Sequence, residues 1–159
     1  MAEMIKTNAM RILESAGISY TPHTYESDDG LIDGVSVAKK LGIEVEQVFK
    51  TLVTVAKSGS YYVFDIPVNA ELNLKKAAAA VGEKSVEMIA VKDINKVTGY
   101  IRGGCSPIGM KKEYKTVIDE TAILFDTICI SAGKIGYQVE LNPEDLARLV
   151  NAEFVDITM

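Results

Sequence analysis

The sequence has few of the residues that metal and redox sites require: its 159 residues include two cysteines, one histidine and no tryptophan. Cys105, Cys129 and His23 do not form a recognisable zinc-ligand pattern, so we predict neither a metal nor a cofactor. No GxGxxG or P-loop motif follows a predicted strand, which argues against a dinucleotide or P-loop site.

Long apolar runs and a basic excess are also missing. No stretch approaches the roughly 20 apolar residues that cross a bilayer, and the first residues lack a signal-peptide pattern. We therefore expect a cytoplasmic protein with no membrane partner. The net charge of −5 argues against a general nucleic-acid binder, which carries a basic face. It still allows a protein that grips only the end of an RNA through a local basic patch.

What is present predicts a mixed α/β fold in a single domain over residues 1–159. The most secure feature is a hairpin, because the stretches 51–56 and 61–67 are β-branched and aromatic and a Lys-Ser-Gly-Ser turn separates them. Short strands and helices alternate irregularly, which favours a mixed sheet with helices packed on it over a doubly wound fold. Helices are predicted from Thr7 or Asn8 to Gly17 and over 35–41, 74–81, 91–97 and from Pro143 onward, and strands over 86–89, 116–118, 127–131, 137–141 and 154–157.

The stretch GYIRGGCSPIGMKK, residues 99–112, has the composition of a binding loop. Gly103 and Gly104 let a ligand or another backbone come close, and Pro107 stiffens the chain. Such a loop can point its N–H groups at a small anionic or carbonyl-bearing ligand. The alternative is a tight turn between two strands. Cys105 within it is a candidate nucleophile, although no His or Asp lies beside it in the sequence.

Three other positions can carry chemistry. Lys50, flanked by apolar residues at the start of a strand, is partly desolvated if it points inward, or is a solvent-facing strand lysine. Ser131 lies in a glycine-flanked turn, SAGKIGYQVE, that is either a binding loop or an ordinary hairpin turn. Tyr25 in HTYE either places its hydroxyl in a pocket or is half-buried, and His23 is interpreted as structural. The three dibasic pairs, Lys39-Lys40, Lys75-Lys76 and Lys111-Lys112, could hold phosphates if two of them flanked one cleft.

These segments together resemble the YbaK family of aminoacyl-tRNA deacylases, which is related to the editing domain inserted in bacterial prolyl-tRNA synthetases. The resemblance covers nearly the whole chain in order and spacing. It is carried by HTYE, VAKKLGIEVEQVFKTL, LNLKKAAAAVGEKSVEM, GYIRGGCSPIGMKK, a strand ending in IDE, and SAGKIGYQVELNPEDL. The family's fold is a mixed α/β domain with a curved, barrel-like sheet flanked by short helices.

The resemblance implies an enzyme that acts in trans on mischarged Cys-tRNA(Pro), holds its 3′ acceptor end and removes the cysteine, with prolyl-tRNA synthetase as a partner. It makes Lys50 the key catalytic lysine. The substrate-binding positions that it implies are Tyr25, Thr51, Gly103, Gly104, Ser106, Pro107, Ser131 and Gln138. The chemistry it implies is substrate-assisted, with the cysteinyl thiol attacking its own ester carbonyl.

Two departures from the family pattern touch the pocket edge. The chain has Gln138 where the family has an acid, and an aromatic position is replaced near Asp33. Preference for alanyl or seryl esters therefore stays open. Two rival hypotheses are a non-catalytic module that binds an aminoacyl-tRNA end or a synthetase, and a regulatory protein that binds a nucleotide or phosphate on the loop 103–109.

Overall fold

The predicted hairpin is the centre of the larger of two sheets. In the computed structural model, which describes residues 5–159, Phe49–Ala56 pairs antiparallel with Tyr61–Pro67 across a turn in which Gly59 has a φ of +90°. The strands of this described part are β1 Thr21–Thr24, β2 Phe49–Ala56, β3 Tyr61–Pro67, β4 Val86–Met88, β5 Lys115–Asp119, β6 Ile128–Ser131, β7 Tyr137–Leu141 and β8 Glu153–Val155. The hairpin prediction is confirmed.

The strands form two sheets. The larger has the order β4-β2-β3-β5-β8 and is mixed, because β3 and β5 as well as β5 and β8 run parallel. The smaller has the order β1-β7-β6 and is antiparallel. A parallel bridge between Val48 and Cys129 connects them. The predicted mixed α/β class is confirmed, although over the described residues the curved arrangement is two joined sheets and not a closed barrel.

Within residues 5–159, five helices cover the sheets, and side-chain caps begin four of them. The helices are α1 Asn8–Ser15, α2 Gly34–Leu41, α3 Leu74–Ala80, α4 Ile94–Thr98 and α5 Pro143–Val150. Thr7, Asp33, Asn73 and Asn142 each accept a backbone N–H of the first turn, which satisfies a donor that the helix leaves free. The sequence located three of these starts, at Thr7, Asn73 and Asn142, because Ser, Thr, Asp and Asn are the usual N-cap residues. The cap at Asp33 was not predicted.

A few element boundaries differ from prediction. The stretch 91–97 begins as a 3-10 turn, Val91–Asp93, before α4 starts. The last strand ends at Val155 and not at residue 157, and a 3-10 turn over Glu120–Leu124 was not predicted. Short elements of this kind owe their form to tertiary contacts more than to local propensity.

The core has two main parts, one for each sheet. Helices α1 and α5 pack on the small sheet around Met10, Leu13, Ile130 and Leu146. Helix α3 packs on the large sheet. Cys129 is fully buried beside Val48, as predicted for a small apolar side chain, and no helix of the described residues is long and apolar enough to span a membrane.

Candidate functional site

A cavity of about 490 Å³ lies where the two sheets meet. Both sheets, helix α2, the loop after β1 and the glycine loop contribute to its walls. Its lining residues are Tyr25, Gly30, Ile32, Asp33, Gly34, Val37, Val48, Phe49, Lys50, Thr51, Val68, Arg102, Gly103, Cys105, Ser131 and Gln138. Six of the nine predicted site residues are therefore brought to one cavity by segments far apart in the sequence.

Lys50 and Thr51 supply the wall from the large sheet. Both lie near the start of β2, and both are partly buried. Burial lowers the pKa of the Lys50 ammonium, and the charge of Glu71 opposes this shift in part. The inward orientation, one of two open at the sequence level, is the one adopted.

Ser131 and Gln138 supply the wall from the small sheet and lie directly opposite each other in the β6–β7 register. The Ser131 hydroxyl accepts the Gly133 N–H at 3.1 Å, so its own hydrogen is free to donate. Gln138 is buried, and its Oε1 has no hydrogen-bond partner within residues 5–159. A buried amide oxygen without a partner is costly, and this one belongs to a side chain that lines the cavity.

The loop after β1 closes one side of the cavity and is held in place by Lys40. The Lys40 ammonium bonds the carbonyl oxygen of Leu31 at 3.0 Å and the Asp29 carboxylate at 2.8 Å, and it lies 5.9 Å from the centre of the Tyr25 ring. Asp33, at the end of this loop, caps α2 through Ser36. Asp33, near which the family pattern has an aromatic residue, thus both caps α2 and lines the edge of the cavity.

The glycine loop connects helix α4 to strand β5, so the interpretation as a turn between two strands is wrong. Its Gly103 lines the cavity with a φ of +87°, and a Cβ there would lie 2.8 Å from Ile32. Gly104 packs against the neighbouring turn, since a Cβ would come within 3.3 Å of the Ile135 nitrogen. The Gly104 N–H is not free, because it donates to the carbonyl oxygen of Ile101.

The other three loop residues have different environments. Ser106 is fully buried, and its hydroxyl accepts the Ile108 N–H at 3.2 Å. Pro107 borders a second, more apolar cavity of about 310 Å³ and not the main one. Gly104, Ser106 and Pro107 therefore shape the loop, and their contact with substrate stays a prediction. Arg102 was not predicted as a site residue. It lies in the glycine loop and lines the main cavity.

Cys105 lines the cavity but has the wrong electrostatics for a nucleophile. Burial raises the pKa of its thiol to about 12, the charge of Asp65 acts in the same direction, and a hydrogen bond with Thr98 opposes them. The thiol is therefore protonated at neutral pH, whereas the thiolate is the nucleophile.

The remaining sequence candidates lie outside the lining of the main cavity. No member of the three dibasic pairs lines the main cavity in the described part of the chain; Lys76, for example, bonds Asp156. His23 bonds the Glu140 carboxylate at 2.7 Å, as expected of a structural histidine. These two side chains and the Cys129 thiol place three potential metal ligands within 4.8 Å. Both Glu140 oxygens are already engaged, by His23 and by the hydroxyl of Thr127.

The family model of the aminoacyl-tRNA editing domain matches residues 33–149, a range that holds every lining residue of the cavity except Tyr25, Gly30 and Ile32. The chain belongs to this family. The resemblance inferred from the sequence motifs is thereby confirmed.

Relatives and solved structures agree with this assignment. The chain is 48% identical, over 96% of its length and 93% of the relative, to EbsC of Enterococcus faecalis, which is named provisionally as a Cys-tRNA(Pro)/Cys-tRNA(Cys) deacylase. It is 32% identical over 84 residues, 53% of this chain and 14% of the relative, to the proline–tRNA ligase of Thermosipho melanesiensis. A crystal structure described provisionally as a trans-editing enzyme for prolyl tRNA synthetase has a TM-score of 0.84, 22% identity and 99% coverage of both chains, which shows the fold.

Proposed function

We propose that this chain is a deacylase that acts in trans, in the cytoplasm, and hydrolyses the cysteinyl ester of mischarged Cys-tRNA(Pro). The observation that carries the proposal is the placement of Lys50, partly buried with a lowered pKa, in one cavity with the polar groups of Thr51, Ser131 and Gln138. The 48% identity to a relative with that provisional name supports the same reaction.

The geometry suits an ester that is already activated. A desolvated ammonium is a strong donor toward the negative charge that develops on the ester carbonyl oxygen. The Lys50 ammonium fills this role, and the free hydrogen of Ser131 is a second donor. An aminoacyl ester needs orientation and charge stabilisation more than a strong protein nucleophile, which agrees with the protonated state of Cys105.

The nucleophile in this proposal is the thiol of the substrate. Its sulfur forms a bond to the ester carbonyl carbon, the bond from that carbon to the ribose oxygen breaks, and the thiol proton passes to the leaving ribose oxygen, which becomes a free hydroxyl. Water then opens the resulting thioester. Seryl-tRNA(Pro), which has oxygen in place of sulfur, should therefore be cleaved far more slowly.

Arg102 is proposed to hold the acceptor end. It is exposed at the cavity rim within the glycine loop, where a guanidinium can bond a terminal phosphate bidentately. With a net charge of −5 and few such contacts, the chain should bind uncharged tRNA weakly and with a shallow salt dependence. Selection of tRNA(Pro) is then assigned to a complex with prolyl-tRNA synthetase.

The test is deacylation of Cys-, Ala-, Ser- and Pro-tRNA(Pro) by purified protein, with and without prolyl-tRNA synthetase. We expect rapid loss of the cysteinyl ester alone. Preferential loss of the alanyl ester would mean that Gln138 and the Asp33 region have changed the preference. A complete lack of turnover, together with retained binding to the synthetase, would favour the non-catalytic binding module.

A further inference from the structure

Asp65 is a buried carboxyl group directly behind the cavity wall. It lies on β3, opposite Thr51 in the β2–β3 register, and none of its surface is exposed. The Thr51 hydroxyl donates to Asp65 Oδ1 at 2.6 Å. The other oxygen, Oδ2, has no hydrogen-bond partner in the part of the chain that the structure describes.

A carboxyl group in this position costs stability. A buried charge without a cation and with one unsatisfied oxygen is less stable than an apolar side chain of the same volume. The titratable group that faces Asp65 is Cys105, whose protonated thiol supplies no positive charge, and the pKa of Lys50 responds to Glu71 and not to Asp65. Burial accordingly raises the pKa of Asp65 to about 7, with the Thr51 bond opposing the shift.

The contact restricts what Thr51 can offer to a ligand. A threonine hydroxyl has one hydrogen and two lone pairs. Because the hydrogen points at Asp65, only lone pairs are left for the cavity. Lys50, which lines the same cavity, is a donor, so strand β2 supplies the cavity with both a donor and an acceptor.

We propose that Asp65 is a positioning residue for deacylation, which acts through Thr51 by holding its hydroxyl as a hydrogen-bond acceptor for the α-ammonium group of the aminoacyl ester. This inference rests on the proposed deacylase function. An aminoacyl ester presents a carbonyl oxygen that needs a donor and an ammonium that needs an acceptor, and the pair Lys50–Thr51 matches both.

The protonation state of Asp65 decides how firmly Thr51 is held. An ionised carboxylate can only accept, so Thr51 must donate to it. A neutral acid can itself donate, which releases the Thr51 hydrogen toward the cavity and removes the acceptor. The rate of enzymatic deacylation, after subtraction of spontaneous ester hydrolysis, should therefore increase as the pH is raised through the pKa of Asp65.

The test compares Asp65→Asn, Asp65→Ala, Thr51→Val and the double variant Asp65→Ala/Thr51→Val. Asn does not titrate, and because its amide can donate as well as accept, it resembles the neutral acid. We expect Asp65→Asn to have a lower kcat/KM on Cys-tRNA(Pro) than the wild type at pH 8, to match the wild type below pH 6, and to lack the increase between them. Asp65→Ala and Thr51→Val should each lose about tenfold, and the double variant should lose no more than either.

Several results would overturn the inference. These are wild-type kcat/KM in folded Asp65→Ala, multiplicative losses in the double variant, or an Asp65→Asn pH profile parallel to that of the wild type. If Asp65→Ala fails to fold, the pH profile of Asp65→Asn decides. An inactive wild type would instead refute the proposed function. Titration of the Asp65 carboxyl by ¹³C NMR then tests the contact alone, because loss of the Thr51 hydroxyl should raise its pKa further.

Discussion

The two walls of the cavity differ in how their buried polar groups are hydrogen-bonded. On the large sheet, Lys50 is partly desolvated and Asp65 is left with one unpaired oxygen. On the small sheet, the ionisable pair His23–Glu140 is hydrogen-bonded through both carboxylate oxygens and lies outside the cavity lining, which receives the neutral groups of Ser131 and Gln138. Both walls thus have an unpaired buried oxygen, on Asp65 and on Gln138, but the ionisable groups Lys50 and Asp65 both lie on the large-sheet side, as is typical of sites that carry out chemistry. We therefore expect changes on the large-sheet side to affect mainly the rate, and a change at Gln138 to affect mainly the selectivity.

The largest effect should come from Lys50→Met, which keeps the apolar stem and removes the charge. If Lys50 stabilises the developing oxyanion, kcat on the cysteinyl ester should fall about a thousandfold. Single-turnover deacylation measures this loss. Lys57→Met, at an exposed lysine in the turn after the same strand, is the matched control and should keep normal activity. A Lys50→Met enzyme with wild-type kcat would remove the basis for separating the two walls.

The second effect is the pH-dependent loss of unfolding free energy that results from burying the Asp65 carboxyl group. Its pKa in the folded protein, about 7, lies above the usual value of 3.8. The loss of stability is therefore absent below pH 3.8, where the group is protonated in both states, and complete above pH 7, where it is ionised in both. Between pH 5 and pH 8 the wild type should lose about 3 kcal/mol of unfolding free energy from this group. Urea unfolding of the wild type and Asp65→Asn at both values measures the difference, which should shrink in the variant. Equal pH dependence of stability in both proteins would show that the ionisation of Asp65 does not cause this loss.

The third effect concerns the small-sheet wall. Gln138→Leu removes the unpaired buried Oε1, so the variant should be as stable as the wild type or more stable. The ratio of kcat/KM for cysteinyl over alanyl esters should shift by about tenfold, as expected for the loss of one ligand hydrogen bond. Competition between the two substrates measures this ratio. A uniform loss on both esters would instead place Gln138 with the catalytic wall.

The smallest effect should come from Glu140→Gln. Hydrogen bonds from Thr127 and His23 lower the pKa of Glu140, so its contribution to stability is present above the usual value of 4.5 and is lost as the pH falls. Because the His23 and Glu140 side chains are about a quarter exposed, the variant should lose about 1 kcal/mol at pH 7. Thermal unfolding measures this loss, and deacylation should be unchanged. A large drop in activity would mean that the His23 network reaches the cavity through its strand neighbour Gln138.

Much of the fold was predictable because its signals are local. Asn142 followed by Pro143 specified a helix start, and the β-branched stretches on either side of a Gly-containing turn specified the hairpin. The division into two sheets was not predictable, since one bridge between Val48 and Cys129 connects strands from distant parts of the chain. Local patterns carry no information about such pairings.

The candidate site divides in the same way. The sequence by itself determined the family and the glycine loop and predicted a catalytic role for Lys50, because these depend on residue types in order and spacing. Only the tertiary structure decided that Lys50 faces inward, that Arg102 reaches the cavity and that Pro107 does not. It alone revealed Asp65, which looks like an ordinary strand residue until β3 places it opposite Thr51. The physical reason is that desolvation and hydrogen-bond partnership are properties of a residue's surroundings, which exist only once distant segments have packed together.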